Sequence, residues 1–459
     1  MTKQEIEKIH LKQTEYQKAH WPLTYNKRVS LLERLKKLIH ENEEQIMSAL
    51  KLDLNKSDFE AYLSELHFVV NEINFSLKNL KSWMKERPEK SPLLHFPMKS
   101  YLKYEPLGRV LIISPWNYPF QLLLSPLVGA MSAGCNDSLK PSEVAENTSK
   151  VIESLIPKYF AVEEVAVVPG AVEETTHLLD LKFDHIFYTG NGFVGRIVME
   201  KAAKHLTPVT LELGGKSPAM VAGKVDVSMA AKRIVWGKFF NAGQTCIAPD
   251  YVLIEESKKS EFIDCCKHWI KTFLGDKPSQ SVDYGRIINL KHFERLKKMI
   301  VAEEVVFGGE TDANQKYISP TLLDATASSP SMKEEIFGPI LPILGLEDFQ
   351  SCIQFVRHKE KPLAAYLFTD EQNKIKEFTL KITAGGMCIN DCLVHIASDY
   401  LPFGGVGESG MGSYHGKYSF ECFSHAKAIA KRSFSADLEM KYPPYGDKLS
   451  TLKKLIPWV

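Results

Sequence analysis

A chain of 459 residues can hold two or three domains and bury large hydrophobic cores. Lys and Arg number 57 against 56 Asp and Glu, so no overall charge attracts nucleic acid, and we expect no nucleic-acid partner. No apolar run approaches the roughly 18 residues that a membrane-spanning helix needs, so no membrane anchor is predicted.

The eight cysteines do not have the spacing of metal ligands. They form no CxxC pair, and no histidine cluster accompanies them at zinc-ligand spacing, so no metal site is predicted. The N-terminus carries no secretory signal. We therefore interpret the cysteines as reduced thiols of a cytoplasmic protein.

Helices are predicted from about residue 26 to residue 85, because apolar side chains recur there at steps of three and four. Arg87-Pro88 ends this pattern, and residues 96–105 then show the looser alternation of a strand. A strand between two helical regions can extend away from its domain.

From residue 106 the pattern changes to alternating strands and helices. Apolar strands without polar alternation, as a parallel sheet expects, are predicted near 108–114, 135–139, 165–168 and 185–188. This rhythm predicts an α/β fold with a doubly wound nucleotide-binding domain, whose ligands lie at the carboxyl ends of the strands. Residues 220–400 form a second predicted α/β region, and residues 404–412 a flexible return loop, so we expect a cleft between two packed domains.

The segment TGNGFVG at residues 189–195 has GxGxxG spacing between a predicted strand and a predicted helix. Gly190 and Gly195, with Asn191 between them, can open a helix N-terminus toward a pyrophosphate. A tight turn that needs glycine only for packing is the alternative.

Two later segments carry reactive side chains in unusual settings. Glu212 lies between two leucines and precedes a double glycine, which places a carboxylate at the rim of a sheet. Cys246 follows a small polar turn, in which Gly243 lets the backbone come close to another group. From this segment alone, a thiol buried for packing is an equal alternative for Cys246.

These two segments together resemble the ELGGKSP and GQTC segments of the aldehyde dehydrogenase superfamily, and further motifs extend the resemblance over nearly the whole chain. Residues 187–191 and 412–417 are most similar to the NAD(P)-dependent class 3 branch. The resemblance implies a cofactor-binding domain of residues 1–85 and 106–211 and a catalytic domain of residues 212–415. Residues 86–105 and 416–459 would form an oligomerisation arm and C-terminal tail, with 96–105 pairing with 427–434 to build a homodimer.

The resemblance also implies the reaction, which is oxidation of an aldehyde to a carboxylic acid with NAD or NADP. Cys246 would form a thiohemiacetal and then a thioester, while Asn117 of the PWNYP segment would donate to the oxyanion. Glu212 would activate the water that hydrolyses the thioester. Relatives that pass the acyl group to coenzyme A commonly lack this Glu, so its presence favours hydrolysis. Taken alone, Asn117 is equally typical of a cap for the helix that follows.

For the cofactor, the resemblance implies that Lys140 and Glu143 hold the adenosine ribose, where a carboxylate disfavours a 2′-phosphate. The class 3 branch accepts both cofactors, so the choice between NAD and NADP stays open. Glu335 would bind the nicotinamide ribose and Phe337 would pack beside the ring, although such a segment is also typical of a helix end. The implied cofactor residues are Lys140, Glu143, Gly190, Asn191, Gly195, Glu335 and Phe337.

Two other functions compete with this interpretation. A cysteine esterase or hydrolase without a cofactor needs only Asn117, Cys246 and Glu212, and a catalytically silent binding protein on the same fold needs none of them. No histidine can be tied to Cys246 as in cysteine proteases, and both reactive residues are present, which favours the dehydrogenase.

The C-terminus lacks the long hydrophobic extension of membrane-bound fatty-aldehyde relatives. The chain length and ring character of the aldehyde are not determined by the sequence.

Overall fold

The computed structural model of the chain describes residues 1–92, 95, 97–434, 437 and 439–455. Residues 93, 94, 96, 435, 436, 438 and 456–459, which are predicted to belong to the arm and tail, lie outside these ranges. The α-helices within them are α1 (Lys3–His20), α2 (Tyr25–Glu41), α3 (Glu43–Leu54), α4 (Asp58–Ala61), α5 (Phe68–Trp83), α6 (Gln121–Ala133), α7 (Glu146–Tyr159), α8 (Val172–Asp180), α9 (Gly192–Ala203), α10 (Val227–Phe239), α11 (Glu256–Leu274), α12 (Leu290–Lys297), α13 (Phe349–Arg357), α14 (Gln372–Lys381), α15 (Gly416–Cys422) and α16 (Lys448–Leu455).

The strands of the described ranges form four sheets. They are β1 (Arg87–Glu89), β2 (Lys99–Pro106), β3 (Arg109–Ile113), β4 (Asn136–Lys140), β5 (Val165–Val167), β6 (His185–Thr189), β7 (Val209–Glu212), β8 (Pro218–Val221), β9 (Tyr251–Glu255), β10 (Val305–Phe307), β11 (Thr311–Asp312), β12 (Tyr317–Ile318), β13 (Thr321–Asp324), β14 (Ile340–Leu346), β15 (Ala364–Phe368), β16 (Gly386–Ile389), β17 (Gly410–Met411) and β18 (Ser424–Lys431).

The first large sheet is a doubly wound nucleotide-binding sheet, as predicted. Its parallel strands run in the order β5-β4-β3-β6-β7, and the four strands predicted between residues 108 and 188 are β3 to β6. The strand order reverses between β3 and β6, which opens a crevice at their carboxyl ends. The predicted return loop at 404–412 contains a short strand, because β17 lies within it and pairs antiparallel with β7.

The second large sheet gives the catalytic half of the chain its own core. Its order is β10-β13-β14-β9-β8-β15-β16, and all neighbours are parallel except β10 and β13. Met220, Leu253 and Leu344 are buried in its hydrophobic cluster. The chain crosses from the first sheet to the second between β7 and β8, through residues 213–217. The domain boundaries given above stay a prediction.

The predicted pairing of the arm strands is confirmed. β2 lies between β1 and β18 in an antiparallel sheet, and Leu102 faces Ala428 across the pair. The observed bounds of β18, Ser424–Lys431, lie three residues before the predicted 427–434. Most of β18 is exposed within the single chain.

The N-terminal helices are confirmed where their apolar face is strong. In α2, Leu31, Leu35 and Leu38 are buried at the expected spacing. α1 was not predicted, because only Ile6 and Gln13 are buried in it and its apolar periodicity is weak. A π-helix at Tyr62–His67, between α4 and α5, was not predicted either. Among the described residues, no helix is long and apolar enough to cross a membrane.

Candidate active site

Glu212 stands where the chain leaves the first sheet. It is the last residue of β7, lies opposite Thr189 of β6 and is 2% exposed. Its carbonyl accepts a hydrogen bond of 2.9 Å from the N–H of Gly190. On its other side β17 pairs with it at Gly410. The carboxylate is therefore held at the sheet rim, as the sequence predicts.

Cys246 follows a tight turn at the end of α10. Asn241 and Ala242 have left-handed backbones, with φ of 52° and 51°, and Gly243 follows with φ of 73°. A Cβ on Gly243 would come within 2.3 Å of the carbonyl oxygen of Gly338. The close approach inferred for Gly243 is thus to another backbone segment rather than to a ligand.

Cys246 and Glu212 face one cavity of about 330 Å³. Its walls are largely apolar, with aromatic side chains that include Tyr118, Trp236 and Phe240. Phe239, a fourth aromatic of this part of the sequence, packs in the hydrophobic core instead. The apolar walls come from helices and loops of both halves of the chain: Leu63, Phe68, Leu122, Ile247, Leu363, Leu393, Val394, Ile396 and Phe403.

Burial favours the neutral forms of both reactive groups. It raises the pKa of Glu212 well above its usual range, and neither carboxylate oxygen has a hydrogen-bond partner among the described residues. The pKa of Cys246 is raised to about 12, chiefly by burial and then by the carboxyls of Glu335 and Glu212. The N–H groups of Cys246 and Ile247 oppose that shift. The thiol therefore needs a base, or a change in its surroundings, before it can attack.

Asn117 lies directly beside the loop that carries the thiol. Its side-chain amide donates to the carbonyl of Gln244 at 3.0 Å, two residues before Cys246. Glu65, and not Asn117, caps the following helix, because its carboxylate accepts from the N–H groups of Phe120 and Gln121 at 3.1 and 2.8 Å. The alternative interpretation of Asn117 as a helix cap is wrong.

Lys140 and Glu143 follow β4 at the carboxyl edge of the first sheet. The ammonium of Lys140 donates to the carbonyl of Pro141 at 2.8 Å and to the carboxylate of Glu143 at 3.2 Å. Burial lowers the pKa of Lys140, and Glu143 opposes this. The side chain of Glu143 is 46% exposed, so it is free to meet a ligand at this edge.

The glycine-rich segment is shaped largely by packing. A Cβ on Gly190 would lie 2.2 Å from the hydroxyl of Tyr188, and one on Gly195 would lie 3.0 Å from Leu213. The side chain of Asn191 caps α9 by accepting from the N–H of Val194 at 3.0 Å. The packing alternative therefore accounts for these residues, while their contact with a pyrophosphate stays a prediction.

The segment around Glu335 is a loop that directly follows a 3₁₀-helix at Pro330–Met332, so the helix-end alternative describes its start. Asp250 accepts from the N–H of Ile336 at 2.9 Å, and Arg295 donates to the carbonyl of Glu335 at 3.1 Å. Burial raises the pKa of Glu335 to about 8, with Asp250 adding to the shift. Phe337 has a left-handed backbone, and its ring meets that of Trp116 edge-on, with 5.4 Å between the ring centroids.

A nucleotide fits the crevice between β3 and β6. At the carboxyl ends of these strands, Ser114 and Thr189 have buried hydroxyls without a partner among the described residues. Buried hydroxyls without partners are uncommon, so they mark a place where a ligand or water supplies hydrogen bonds. Lys140 and Glu143 stand at the end of the adjacent β4, and Glu212 at the end of β7. The donor set suits a polar dinucleotide that reaches toward Cys246.

Several residues at the site escaped the sequence analysis. Thr189 lines the cavity with a hydroxyl that has no partner among the described residues, and the buried hydroxyl of Tyr414 lines it beside Gln121. Lys56 and Glu65 form a buried ion pair beneath Asn117. Thr189 and Tyr414 lie in the segments 189–195 and 412–417, but no role was predicted for either, and no motif marks Lys56 or Glu65. In the described part of the chain no cluster of His, Cys, Asp or Glu could hold a metal, and all eight cysteines are free thiols.

The model of the Aldehyde dehydrogenase family matches residues 1–429. Aldehyde dehydrogenase family 3 member A2 of Rattus norvegicus is 48% identical over 420 residues, covering 91% of this chain and 87% of the relative. A dimeric NADP-preferring aldehyde dehydrogenase of Canis lupus familiaris is 45% identical over 421 residues, with coverage of 91% and 93%. The substrate-bound structure of Staphylococcus aureus AldH superposes with a TM-score of 0.96 at 43% identity and covers 98% of this chain and 99% of that one.

The sheet order, the paired Cys246 and Glu212 and these similarities define the class of protein. The chain belongs to the aldehyde dehydrogenase family, and its similarity to family 3 members confirms the class 3-like branch. It is an enzyme that oxidises aldehydes with NAD or NADP. A cofactor-independent hydrolase and a silent binding protein are not favoured.

The raised pKa of Cys246 predicts how the thiol reacts without a cofactor. Since the pKa is about 12, we expect the rate of iodoacetamide alkylation to rise about tenfold per pH unit between about pH 7 and about pH 10. Mass spectrometry of the Cys246 peptide separates this thiol from the other seven. A plateau below about pH 9 would contradict the burial argument.

The Glu335→Gln variant tests the second cause of the raised pKa of Cys246, which is the nearby carboxyl of Glu335. Removing this carboxyl should lower the pKa of Cys246 and speed its alkylation above about pH 8, where Glu335 is ionised. The exposed neighbour offers a matched control, because Glu334→Gln should leave the alkylation profile unchanged. Equal effects of both variants would refute a direct interaction between Glu335 and the thiol.

Proposed function

We propose that this enzyme oxidises apolar aldehydes to carboxylic acids by covalent catalysis on Cys246, with hydrolysis assisted by Glu212. The observation that carries the proposal is that both side chains face one apolar cavity, beside the crevice that fits a dinucleotide. Aliphatic or aromatic aldehydes suit these walls. Formation of reduced cofactor across a series of aldehydes, with NAD and with NADP, tests the proposal directly.

The first step joins the substrate to the enzyme. The thiol of Cys246 gives up its proton, and the sulfur adds to the carbonyl carbon to form a thiohemiacetal. An amide NH₂ has two donors, and that of Asn117 uses one on the carbonyl of Gln244. The second donor, together with the N–H of Cys246, is available for the oxyanion.

The second step removes a hydride from the thiohemiacetal carbon and leaves a thioester on Cys246. NAD(P)+ supplies the hydride acceptor when it is bound. The residues that would hold it are Lys140 and Glu143 at the ribose and Glu335 and Phe337 at the nicotinamide end. Gly190, Asn191 and Gly195 would border its pyrophosphate.

The third step is hydrolysis of the thioester. Glu212 takes a proton from water, the hydroxyl adds to the thioester carbon, and collapse expels the Cys246 sulfur as the acid forms. A carboxyl whose pKa is raised by burial is a strong base once it is ionised. Because Glu212 has no hydrogen-bond partner among the described residues, its carboxylate is also free to accept the thiol proton earlier in the cycle.

The Glu212→Gln variant separates these two jobs. We expect a burst of reduced cofactor of about one per active site, followed by turnover that is slower by about 10²–10⁴-fold, because an amide cannot activate water. The burst itself should be slower than in the wild type and should rise with pH, since the thiol must then ionise without a base. Stopped-flow absorbance of the reduced cofactor measures both phases. Cys246→Ala is the control, without burst or turnover, and steady turnover near wild type in Glu212→Gln would remove Glu212 from the mechanism.

We expect the charge of Glu143 to set the cofactor preference. A carboxylate near the 2′-phosphate of NADP repels it by about 1 kcal/mol, so Glu143→Gln should raise kcat/KM for NADP relative to NAD about fivefold. Glu146→Gln, which removes an exposed carboxylate three residues further on, should leave the ratio unchanged. An unaltered ratio in Glu143→Gln would refute this placement of the ribose.

A homodimer built through the arm sheet is the expected assembly. β18 is a mostly exposed edge strand in the single chain, and such an edge is a natural place for pairing between chains. A relative that is 45% identical is named as dimeric. Light scattering at micromolar protein should give twice the 51.9 kDa of one chain, and a mass of one chain at every concentration would contradict the prediction.

A reducing compartment, the cytoplasm, is the expected location. The support is that all eight cysteines are free thiols, and that several of them are buried and distant from one another in sequence. Fractionation of cells that express the full chain tests this.

A further inference from the structure

A fully buried lysine lies beneath the proposed oxyanion site. Lys56 follows α3, and its side chain and that of Glu65 are 0% exposed. The ammonium forms a short ion pair with Glu65 and donates to the backbone carbonyl of Asn117 at 3.0 Å. It also lies 3.9 Å from the centroid of the Tyr118 ring. One cation thus contacts two of the three residues between the prolines of the PWNYP segment, Asn117 and Tyr118.

The partner carboxylate fixes the same segment from its other end. Glu65 accepts from the first N–H groups of α6 at Phe120 and Gln121, so the two charges hold residues 117–121 between them. Glu65 thus accepts hydrogen bonds from two backbone N–H groups and from the ammonium of Lys56. Burial raises the pKa of Glu65 and lowers that of Lys56, and the opposite charge of each partner opposes the shift of the other.

The π-helix explains how Glu65 reaches this position. Its wide turn at Tyr62–His67 interrupts the helix that runs from α4 to α5, and such turns often occur at functional sites. Glu65 and Leu66 are buried in it, while Leu63, Ser64 and His67 line the substrate cavity. The same turn therefore supports the loop from below and forms part of the cavity wall.

From Asn117 the contacts continue to the nucleophile. The carbonyl of Asn117 accepts a second hydrogen bond, of 2.9 Å, from the amide of Asn241, and its own amide is bound to Gln244. The hydroxyls of Tyr118 and Thr245 lie 2.6 Å apart, and Thr245 precedes Cys246. Glu60 accepts from the N–H of Asn241 at 3.1 Å and holds the left-handed turn from the N-terminal side.

We propose that Lys56, paired with Glu65, is a positioning residue that fixes Asn117 so that its free amide hydrogen points to the oxyanion on Cys246. The proposal rests on the function proposed above. Without Lys56 the carbonyl of Asn117 keeps only Asn241, and Tyr118 loses the cation on its ring. The amide then samples other orientations, and the oxyanion loses a donor for part of the time.

The Lys56→Met variant tests the proposal, because it keeps the length of the side chain and removes the charge. We expect the burst of reduced cofactor to slow by about 10- to 100-fold, the range that follows from a misplaced catalytic group, while the KM for the aldehyde stays nearly constant. Alkylation of Cys246 by iodoacetamide forms no oxyanion and should be unchanged. Arg34→Met is the matched control, since it removes an ion pair to Glu164 far from the cavity and should leave the burst rate unaltered.

A double-mutant cycle with Asn117→Ala distinguishes positioning from a general structural role. If Lys56 acts through Asn117, adding Lys56→Met to Asn117→Ala should change the burst rate by no more than about twofold. If Lys56→Met slowed the burst of the Asn117→Ala enzyme as much as it slows that of the wild type, the proposal would be overturned. A Lys56→Met enzyme with a wild-type burst, or a parallel loss of Cys246 alkylation, would also overturn it.

A further variant covers the risk that Lys56→Met leaves Glu65 charged and the chain unfolded. Lys56→Met with Glu65→Gln has no unpaired buried charge, and the amide oxygen can still accept from α6. We expect the same slow burst and the same lack of additivity with Asn117→Ala, and a wild-type burst would refute the proposal. A wild-type enzyme that forms no reduced cofactor with any aldehyde would instead refute the proposed function itself.

Discussion

Burial of two ionisable side chains between the two large sheets is the constraint on which the site depends. It raises the pKa of Cys246 and of Glu212 in the same cavity and so favours the neutral form of both. A neutral thiol is protected from adventitious oxidation and alkylation. A neutral carboxyl tolerates apolar walls that would exclude its charged form. The thiol of Cys246 and the carboxyl of Glu212 therefore become reactive only when they lose their protons within the catalytic cycle, to each other or to water.

The same desolvation makes the supporting polar network stiff. Lys56, Glu65 and Asn117 make short contacts in a region without exposed atoms, where hydrogen bonds to charged groups are stronger than at the surface. The network joins the first sheet, through Asn117, to the Cys246 loop of the second half through Asn241 and Gln244. It also holds two left-handed residues, Asn241 and Ala242, which would otherwise relax. Nucleophile and oxyanion donor are thus placed relative to each other across the boundary between the sheets.

Sequence reasoning succeeded where a pattern has a single physical cause. Apolar strands such as β3 and β6, and the carboxylate at the end of β7, follow from burial and from the geometry of parallel sheets. It failed where the cause is a contact between distant residues. Gly243 meets Gly338, and Glu65 caps α6, and no local pattern encodes either contact. The π-helix and the weakly apolar α1 also lie outside the 3.6-residue periodicity on which helix prediction relies.

The cavity itself restricts the fate of the thioester. Its walls are largely apolar, and Glu212 and Thr189 reach it with polar atoms that have no partner in the described chain. A water molecule placed beside them can take hydrogen bonds from both, since buried water normally makes about three. Of the two side chains, Glu212 is the stronger base. The apolar walls thus accommodate an apolar acyl chain, and a carboxylate that can take a proton from water directs the acyl group to hydrolysis.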